Sequence, residues 1–122
     1  MPIFDIRFVA SESPTAPSPS AQELADALGK ALGSPPGQTW VLLHAHPAAL
    51  YAENEFRLAE ADYPVFVTVL LAHPPDARAR LDQVRAITAA VASCMVRPEE
   101  RIHVEYAPSG AGRLAFGGKL VE

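Results

Sequence analysis

Two short apolar runs open the two halves of the chain in the same way. Residues 2–9 and 64–72 are rich in β-branched and aromatic side chains, and a proline begins each run. This composition predicts a β-strand at each place. Similar runs at 39–46 and 101–107 predict two more strands.

A helix is predicted after each opening strand. Ser20 and Glu23 have the spacing of a capping box, Gly33 and the prolines after it end the first helix, and Asp76 is a suitable N-cap for the second. The stripes expected to face the core are Leu24, Leu28, Ala31 and Leu32 in the first helix, and Leu81, Val84, Ile87, Val91 and Cys94 or Met95 in the second.

The two halves therefore share the order strand, helix, strand. A constant offset of 62 aligns Pro2 with Pro64 and Phe4 with Phe66 without a gap, which predicts an internal duplication. We expect one domain over residues 1–122, with units at about 2–46 and 64–107 and a Gly-rich hairpin at 110–120.

Two right-handed crossovers in one sheet place both helices on the same face. The expected fold class is α+β, a two-layer βαβ-βαβ arrangement with a four-stranded mixed sheet. The other face needs a cover, because more apolar strand surface is present than two helices require. We assign this surplus to Trp40, Leu42, Val65, Val67 and Val69, and predict that subunits associate through it.

Composition limits the classes of partner. With 122 residues, of which 49% are hydrophobic, the chain can form one core, and the net charge of −4 argues against a nucleic-acid partner. The single Cys94 allows no internal disulfide. No run approaches the roughly eighteen apolar residues of a membrane span. Pro2 and Asp5 interrupt any signal peptide, so we expect a cytoplasmic protein without membrane contact.

Pro2 is the first candidate for a catalytic residue. Removal of the initiator Met would leave Pro2 as a free secondary amine at the end of a buried strand. An α-amino group titrates near pH 8, burial lowers its pKa, and a neutral amine is a competent general base. The alternative interpretation is that Pro2 merely begins an edge strand, where its missing N–H is tolerated.

Arg78 and Arg80 lie in the first turn of the second helix, where cations oppose the helix dipole. An anion bound at this helix end would reverse that effect, and the alternative is that both side chains are solvated, with Arg78 paired to Asp82. Arg113, in the Gly-rich tail, is a comparable anion ligand.

Further polar residues are open to two interpretations. His103 and Glu105 share a strand face, so they form either a polarising pair near a pocket or a solvated polar pair. The carboxylates of the linker 47–62 are expected to be solvated. His44 and His46 lack a third ligand at a suitable spacing, and no metal site is expected.

The Pro2-led unit, its repetition and the tail GAGRLAFGGKL at 110–120 resemble the tautomerase superfamily. That superfamily includes 4-oxalocrotonate tautomerase, its fused two-unit relatives and macrophage migration inhibitory factor. The resemblance covers most of the chain and is weakest over 47–62. It implies a homotrimer without a cofactor, with Pro2 as the base, arginines holding the substrate carboxylate, and Phe116 close to the hydrophobic position of the tail.

At the other positions that match functional residues of the family, this chain has different residue types. An arginine after the first strand falls on Ser11 or Glu12, and the inhibitory-factor pattern places lysine near Ser34, tyrosine at His103 and asparagine at Glu105. The substrate is therefore expected only as a class, a small enol or dienol carboxylic acid that the protein tautomerises.

A second hypothesis is a binding module without catalysis. A ferredoxin-like domain has the same order of elements in an antiparallel sheet. The tautomerase fold without activity is the other version, because the Pro2 nitrogen is an amide if Met1 is retained.

Overall fold

The computed structural model describes residues 2–16 and 18–122. Its regular elements are β1 (Ile3–Ala10), α1 (Ala21–Leu32), β2 (Trp40–Pro47), β3 (Val65–Leu70), α2 (Ala77–Met95), β4 (Ile102–Tyr106), β5 (Ala115–Phe116) and β6 (Lys119–Leu120). Short 3₁₀ turns lie at Ala48–Leu50, Glu60–Asp62 and Glu99–Arg101. No helix among these residues is long and apolar enough to cross a membrane.

The four long strands form a mixed sheet in the order β2-β1-β3-β4. β2 is parallel to β1, β4 is parallel to β3, and the two central strands are antiparallel. The helices pack against each other, with α1 also on β2 and α2 on β4, so both lie on one face. The predicted fold class is confirmed. The ferredoxin-like alternative is wrong, because it requires antiparallel neighbours throughout the sheet.

Local sequence signals set the ends of both helices. The Ser20 hydroxyl accepts from the Glu23 amide at 3.1 Å, and the Asp76 carboxylate accepts from the Ala79 amide at 2.9 Å. Each N-cap thereby satisfies a backbone donor that has no partner within the helix. At the other ends Gly33 and Val96 adopt left-handed conformations, with φ of 68° and 54°.

The core lies between the helices and the inward side chains of the central strands. Val65, Val67 and Val69 are at most 1% exposed and face the helices, so their assignment to the uncovered face is wrong. Strand side chains alternate with a period of two, and in β3 the outward positions are held by Phe66, Thr68 and Leu70.

Leu81 is also misplaced by the sequence pattern, since its side chain is 52% exposed. The predicted stripe advanced by three residues from Leu81 to Val84 and again to Ile87. Two such steps turn an α-helix by about 600°, so Leu81 lies roughly 120° away from the buried Ile87. The stripe that packs in the core is Ile87, Val91 and Met95.

The offset of 62 between the two halves needs the same kind of correction. It aligns Phe4, which is fully buried, with Phe66, which is 41% exposed on the opposite face of the sheet. A shift of one residue moves every strand side chain to the other face. An even offset therefore cannot superimpose these two strands.

An offset of 63 matches the helices instead. Leu24 and Leu28 are the buried residues of α1, and Ile87 and Val91 lie 63 residues further on in α2. The two left-handed C-caps are also 63 residues apart. The position equivalent to Pro2 is then Val65, next to Pro64. Whether the halves arose by duplication stays a prediction.

The linker between the halves is held by Arg101, the last residue of the 3₁₀ turn before β4. Arg101 donates through Nη2 to the Glu53 carboxylate at 2.5 Å and through Nε to the Asp62 carbonyl at 2.5 Å. The Tyr51 hydroxyl donates to the same Glu53 oxygen at 2.7 Å. The expectation of a solvated linker is therefore wrong for Glu53, whose side chain is only 27% exposed.

This cluster predicts an acid-sensitive contribution to stability. The hydrogen bond from Tyr51, followed by that from Arg101, lowers the pKa of the Glu53 carboxyl below its ordinary value of 4.5. The folded chain thus binds fewer protons at Glu53 than the unfolded chain. The contribution is complete above pH 4.5 and is lost as the pH falls through the lowered value. Urea unfolding between pH 3 and pH 7 should show a smaller acid loss for Glu53→Gln than for the parent.

Tyr51→Phe is the matched control, because it removes the largest cause of the pKa shift and keeps the ring. It should reduce the acid loss in part. An acid loss identical in the parent and Glu53→Gln would contradict the assignment. Burial, together with the Glu53 carboxylate, raises the pKa of Tyr51 to about 12, so the phenol stays protonated across this range.

Candidate active site

Pro2 lies at the start of a central strand. It is less than 2% exposed, and its carbonyl accepts a hydrogen bond from the Trp40 amide at 3.1 Å. β1 is flanked by β2 and β3, so the interpretation of Pro2 as the start of an edge strand is wrong. Burial among apolar groups disfavours a charged amine. The predicted removal of Met1 lies outside the described residues.

The C-terminal tail folds back over this end of the sheet. The Gly110 and Ala111 amides donate to the carbonyls of Leu71 and Ala72 at 2.8 and 3.2 Å. A side chain at Gly110 would meet the Leu71 carbonyl at 3.4 Å, so glycine permits this close approach.

Phe116, in the hairpin of β5 and β6, stacks on Trp40 with ring centroids 4.8 Å apart and an interplanar angle of 23°. Because the Trp40 amide donates to the Pro2 carbonyl, the stacked pair lies at the same end of the sheet as Pro2.

Arg113 lies on the same tail. It borders a cavity of about 210 Å³ together with Leu70, Ser109, Gly110 and Leu114. Leu70 pairs with Ile3, the residue that follows Pro2. Within the described part of the chain, the Arg113 guanidinium forms neither an ion pair nor a hydrogen bond. It is therefore available to an anion at the Pro2 end of the sheet.

The Arg80 side chain already has two contacts, one just before α2 and one on β4. Its guanidinium donates to the Pro75 carbonyl at 3.0 Å and lies 5.7 Å from the centre of the Tyr106 ring. The Tyr106 hydroxyl donates to Gln83. Burial raises the pKa of Tyr106, against the opposing effect of Arg80. These contacts make Arg80 part of the packing between α2 and β4.

Arg78 is exposed on the first turn of α2. The pairing with Asp82 considered from the sequence is not formed, since no ion pair of Arg78 occurs within 4.0 Å among residues 2–16 and 18–122. Both arginines of this turn are exposed, and they differ in that Arg80 has a hydrogen bond and a ring contact.

His103 and Glu105 lie on the sheet face that neither helix covers, called the open face below. The strand register forms two rows across this face, His44–Arg7–Phe66–His103 and Leu42–Asp5–Thr68–Glu105. His103 packs beside Phe66 with ring centroids 5.3 Å apart. Both predicted residues are exposed on β4, an edge strand, and neither reaches the Pro2 end within one chain.

The sequence patterns missed a charged cluster in these rows. Asp5 Oδ1 is buried without a hydrogen bond, 3.7 Å from Arg7 Nε and 3.5 Å from His44 Nε2. Asp5 and Arg7 of this cluster border a cavity of about 410 Å³, which Phe66 and Glu105 also line. The alternation of Asp5 and Arg7 along β1 was the available signal, but it did not reveal that His44 is their neighbour across the sheet.

The described residues contain no group of three or more His, Cys, Asp or Glu side chains that could hold a metal ion. His44 and His46 do lie on one face of β2, as the sequence predicts. His46 is bonded through Nε2 to the Leu50 carbonyl at 2.9 Å, and His44 lies beside Asp5.

No family model matches the chain, and no curated protein matches its sequence. Solved structures do match. Macrophage migration inhibitory factor from Oncomelania hupensis has a TM-score of 0.74 and 22% identity, over 100% of this chain and 83% of that one. A fused 4-OT, described as a symmetric trimer, has a TM-score of 0.75 and 16% identity over 98% and 94%. FG41 malonate semialdehyde decarboxylase has a TM-score of 0.69 and 16% identity, over 94% of this chain and 88% of that one.

The protein therefore has the fold of the tautomerase superfamily. This confirms, as a likeness of fold, the resemblance to that superfamily. At these identities the likeness is one of fold, and the chemistry must be argued from the residues of this chain.

Proposed function

We propose that the protein is a cofactor-independent keto-enol tautomerase or isomerase of a small enol or dienol carboxylic acid. Pro2 is its general base after removal of Met1. The observation that carries the proposal is the position of Pro2, buried at the start of a central strand and at the same end of the sheet as the Trp40–Phe116 pair. This apolar setting favours the neutral amine, which is the form that accepts a proton.

The reaction needs one group that exchanges protons. The neutral Pro2 nitrogen accepts a proton from one site of the conjugated acid and becomes a secondary ammonium. The ammonium returns a proton to the other site, so the amine ends the cycle unchanged. No electrons leave the substrate in such a step, and no cofactor is proposed.

Arg113 is the proposed carboxylate ligand. It borders a cavity at the Pro2 end and has no acidic partner within the described residues, whereas Arg80 is held by Pro75 and Tyr106. Phe116 is proposed as apolar wall for the body of the substrate, since an aromatic face suits a conjugated acid.

We also propose a homotrimer, one domain per chain, in which the open face is covered by neighbouring subunits. Leu42 and Phe66 are 53% and 41% exposed on this face, and a fused 4-OT of the same fold is described as a trimer. His103 and Glu105 lie on an open-face edge strand, where a neighbour can bring them to its own Pro2 end. Their proposed role is to polarise the substrate of that neighbour.

The test of the carboxylate ligand is a kinetic comparison of two arginines. Arg113→Gln should raise KM for an enol carboxylic acid about tenfold, because a charge-assisted hydrogen bond to the carboxylate is lost. Arg78→Gln removes an equal charge from a solvated position and should leave KM within about twofold. Equal changes of KM in the two variants, or an unchanged KM in Arg113→Gln, would contradict the assignment of Arg113 as the carboxylate ligand.

A further inference from the structure

A second cavity of interest lies at the end of the sheet opposite Pro2. It has a volume of about 570 Å³ and is bordered by the ends of β1 and β2, the described residues of the loop after β1, the C-terminal end of α2, and the segment around Glu60. Its apolar lining includes Phe8, Ala10, Ala45 and Met95. This size and lining suit a small organic ligand.

One cation, Arg97, stands in the wall of this cavity. Its guanidinium donates to the Tyr63 carbonyl at 2.8 Å and to the Val9 carbonyl at 3.0 Å, and it lies 6.0 Å from the centre of the Phe8 ring. These contacts fix the plane of the guanidinium. They use two of its five N–H groups, and a planar fork held in this way is suited to a carboxylate.

The charge of Arg97 is not matched by a carboxylate in contact with it. Of the residues that the structure describes, none forms an ion pair with Arg97 within 4.0 Å. Burial lowers the pKa of Arg97, and Glu60 opposes this effect from a longer distance. The Glu60 carboxylate itself accepts a hydrogen bond from the Ser11 hydroxyl. Two neutral carbonyls orient the guanidinium but leave its charge uncompensated.

We infer that this cavity binds a small carboxylate, with the carboxylate group on Arg97 and the apolar body against Phe8 and Met95. Glu60 also borders the cavity, and its charge penalises a dianion such as phosphate more than a singly charged acid. The site is separate from Pro2. The residue of the first half that corresponds to Arg97, 63 positions earlier, is Ser34, which carries no charge.

Benzoate is a suitable probe, because it combines one carboxylate with an apolar body and has no group for Pro2 to tautomerise. Calorimetric titration of the full chain should show saturable binding. Arg97→Gln should weaken that binding about tenfold or more through the lost charge-assisted hydrogen bonds. Glu60→Gln should tighten it about threefold, because a like charge is removed from the cavity.

Two further variants keep the test decisive. Arg97 links β1 to the segment before β3, so its replacement can disturb folding. Ala45→Leu fills the cavity from β2 without touching Arg97 and should also abolish binding. Arg113→Gln removes the carboxylate ligand proposed at the Pro2 end, so the titrations are run in that background, where the benzoate binding that depends on Arg97 should remain. Benzoate binding that survives Ala45→Leu, weakens in Glu60→Gln, or depends on Arg113 instead of Arg97 would overturn the inference.

Discussion

Replacing Pro2 with alanine should lower turnover of an enol carboxylic acid by about 10²-fold or more, the usual contribution of a positioned general base. Alanine is small enough for Met1 still to be removed. It leaves a primary amine without the ring that holds the nitrogen at the start of β1. The measurement is the rate at which the enol absorbance decays, with circular dichroism to show that the variant is folded.

Pro64→Ala is the matched control. Pro64 is as buried as Pro2, but it lies inside the chain, where its nitrogen is an amide. Turnover should therefore persist in this variant. Intact mass of the protein from its own host should show the loss of one Met. A retained Met1, or undiminished turnover in Pro2→Ala, would contradict the role of Pro2 and favour a binding module with the tautomerase fold.

Replacing Ile87 with alanine should lower the free energy of unfolding by about 3 kcal/mol, within the range for a large aliphatic side chain removed from a core. Ile87 is fully buried between α2 and the sheet. Leu81→Ala removes a side chain of the same size that is 52% exposed, and its expected loss is below about 1 kcal/mol. Urea unfolding monitored by circular dichroism measures both.

Both variants must be compared at one protein concentration, because the unfolding of a trimer depends on concentration. A midpoint that rises with concentration is the expected signature of the proposed assembly. Equal losses in the two variants would show that Leu81 is buried in solution, against its exposed position on α2.

Much of the fold could be predicted from local patterns. Ser20, Gly33 and Asp76 mark helix ends because each satisfies backbone groups within a few residues of itself. The strands follow from short runs of β-branched and aromatic residues between turn residues. Local signals of this kind suffice to identify the elements and their order, and the order led to the two-layer class.

The orientation of each element was harder to predict. A strand has two faces, and a run such as Val65–Leu70 that is apolar throughout does not indicate which one is buried. The shift of one residue in the internal alignment follows from this ambiguity. The misplaced Leu81 has another cause, because two successive steps of three residues move a helical position out of the buried stripe.

The sequence by itself determined the strand and helix order, the helix ends and the candidate base, since these depend on residues close together in the chain. Only the tertiary structure decided the partners of the charged side chains. Arg80 contacts the Tyr106 ring, and Arg101 forms an ion pair with Glu53. Arg97 borders a cavity and donates hydrogen bonds to carbonyls of residues 34 and 88 positions away in the chain. Such pairings depend on which strands are neighbours, and strand order is set by packing over long sequence separations.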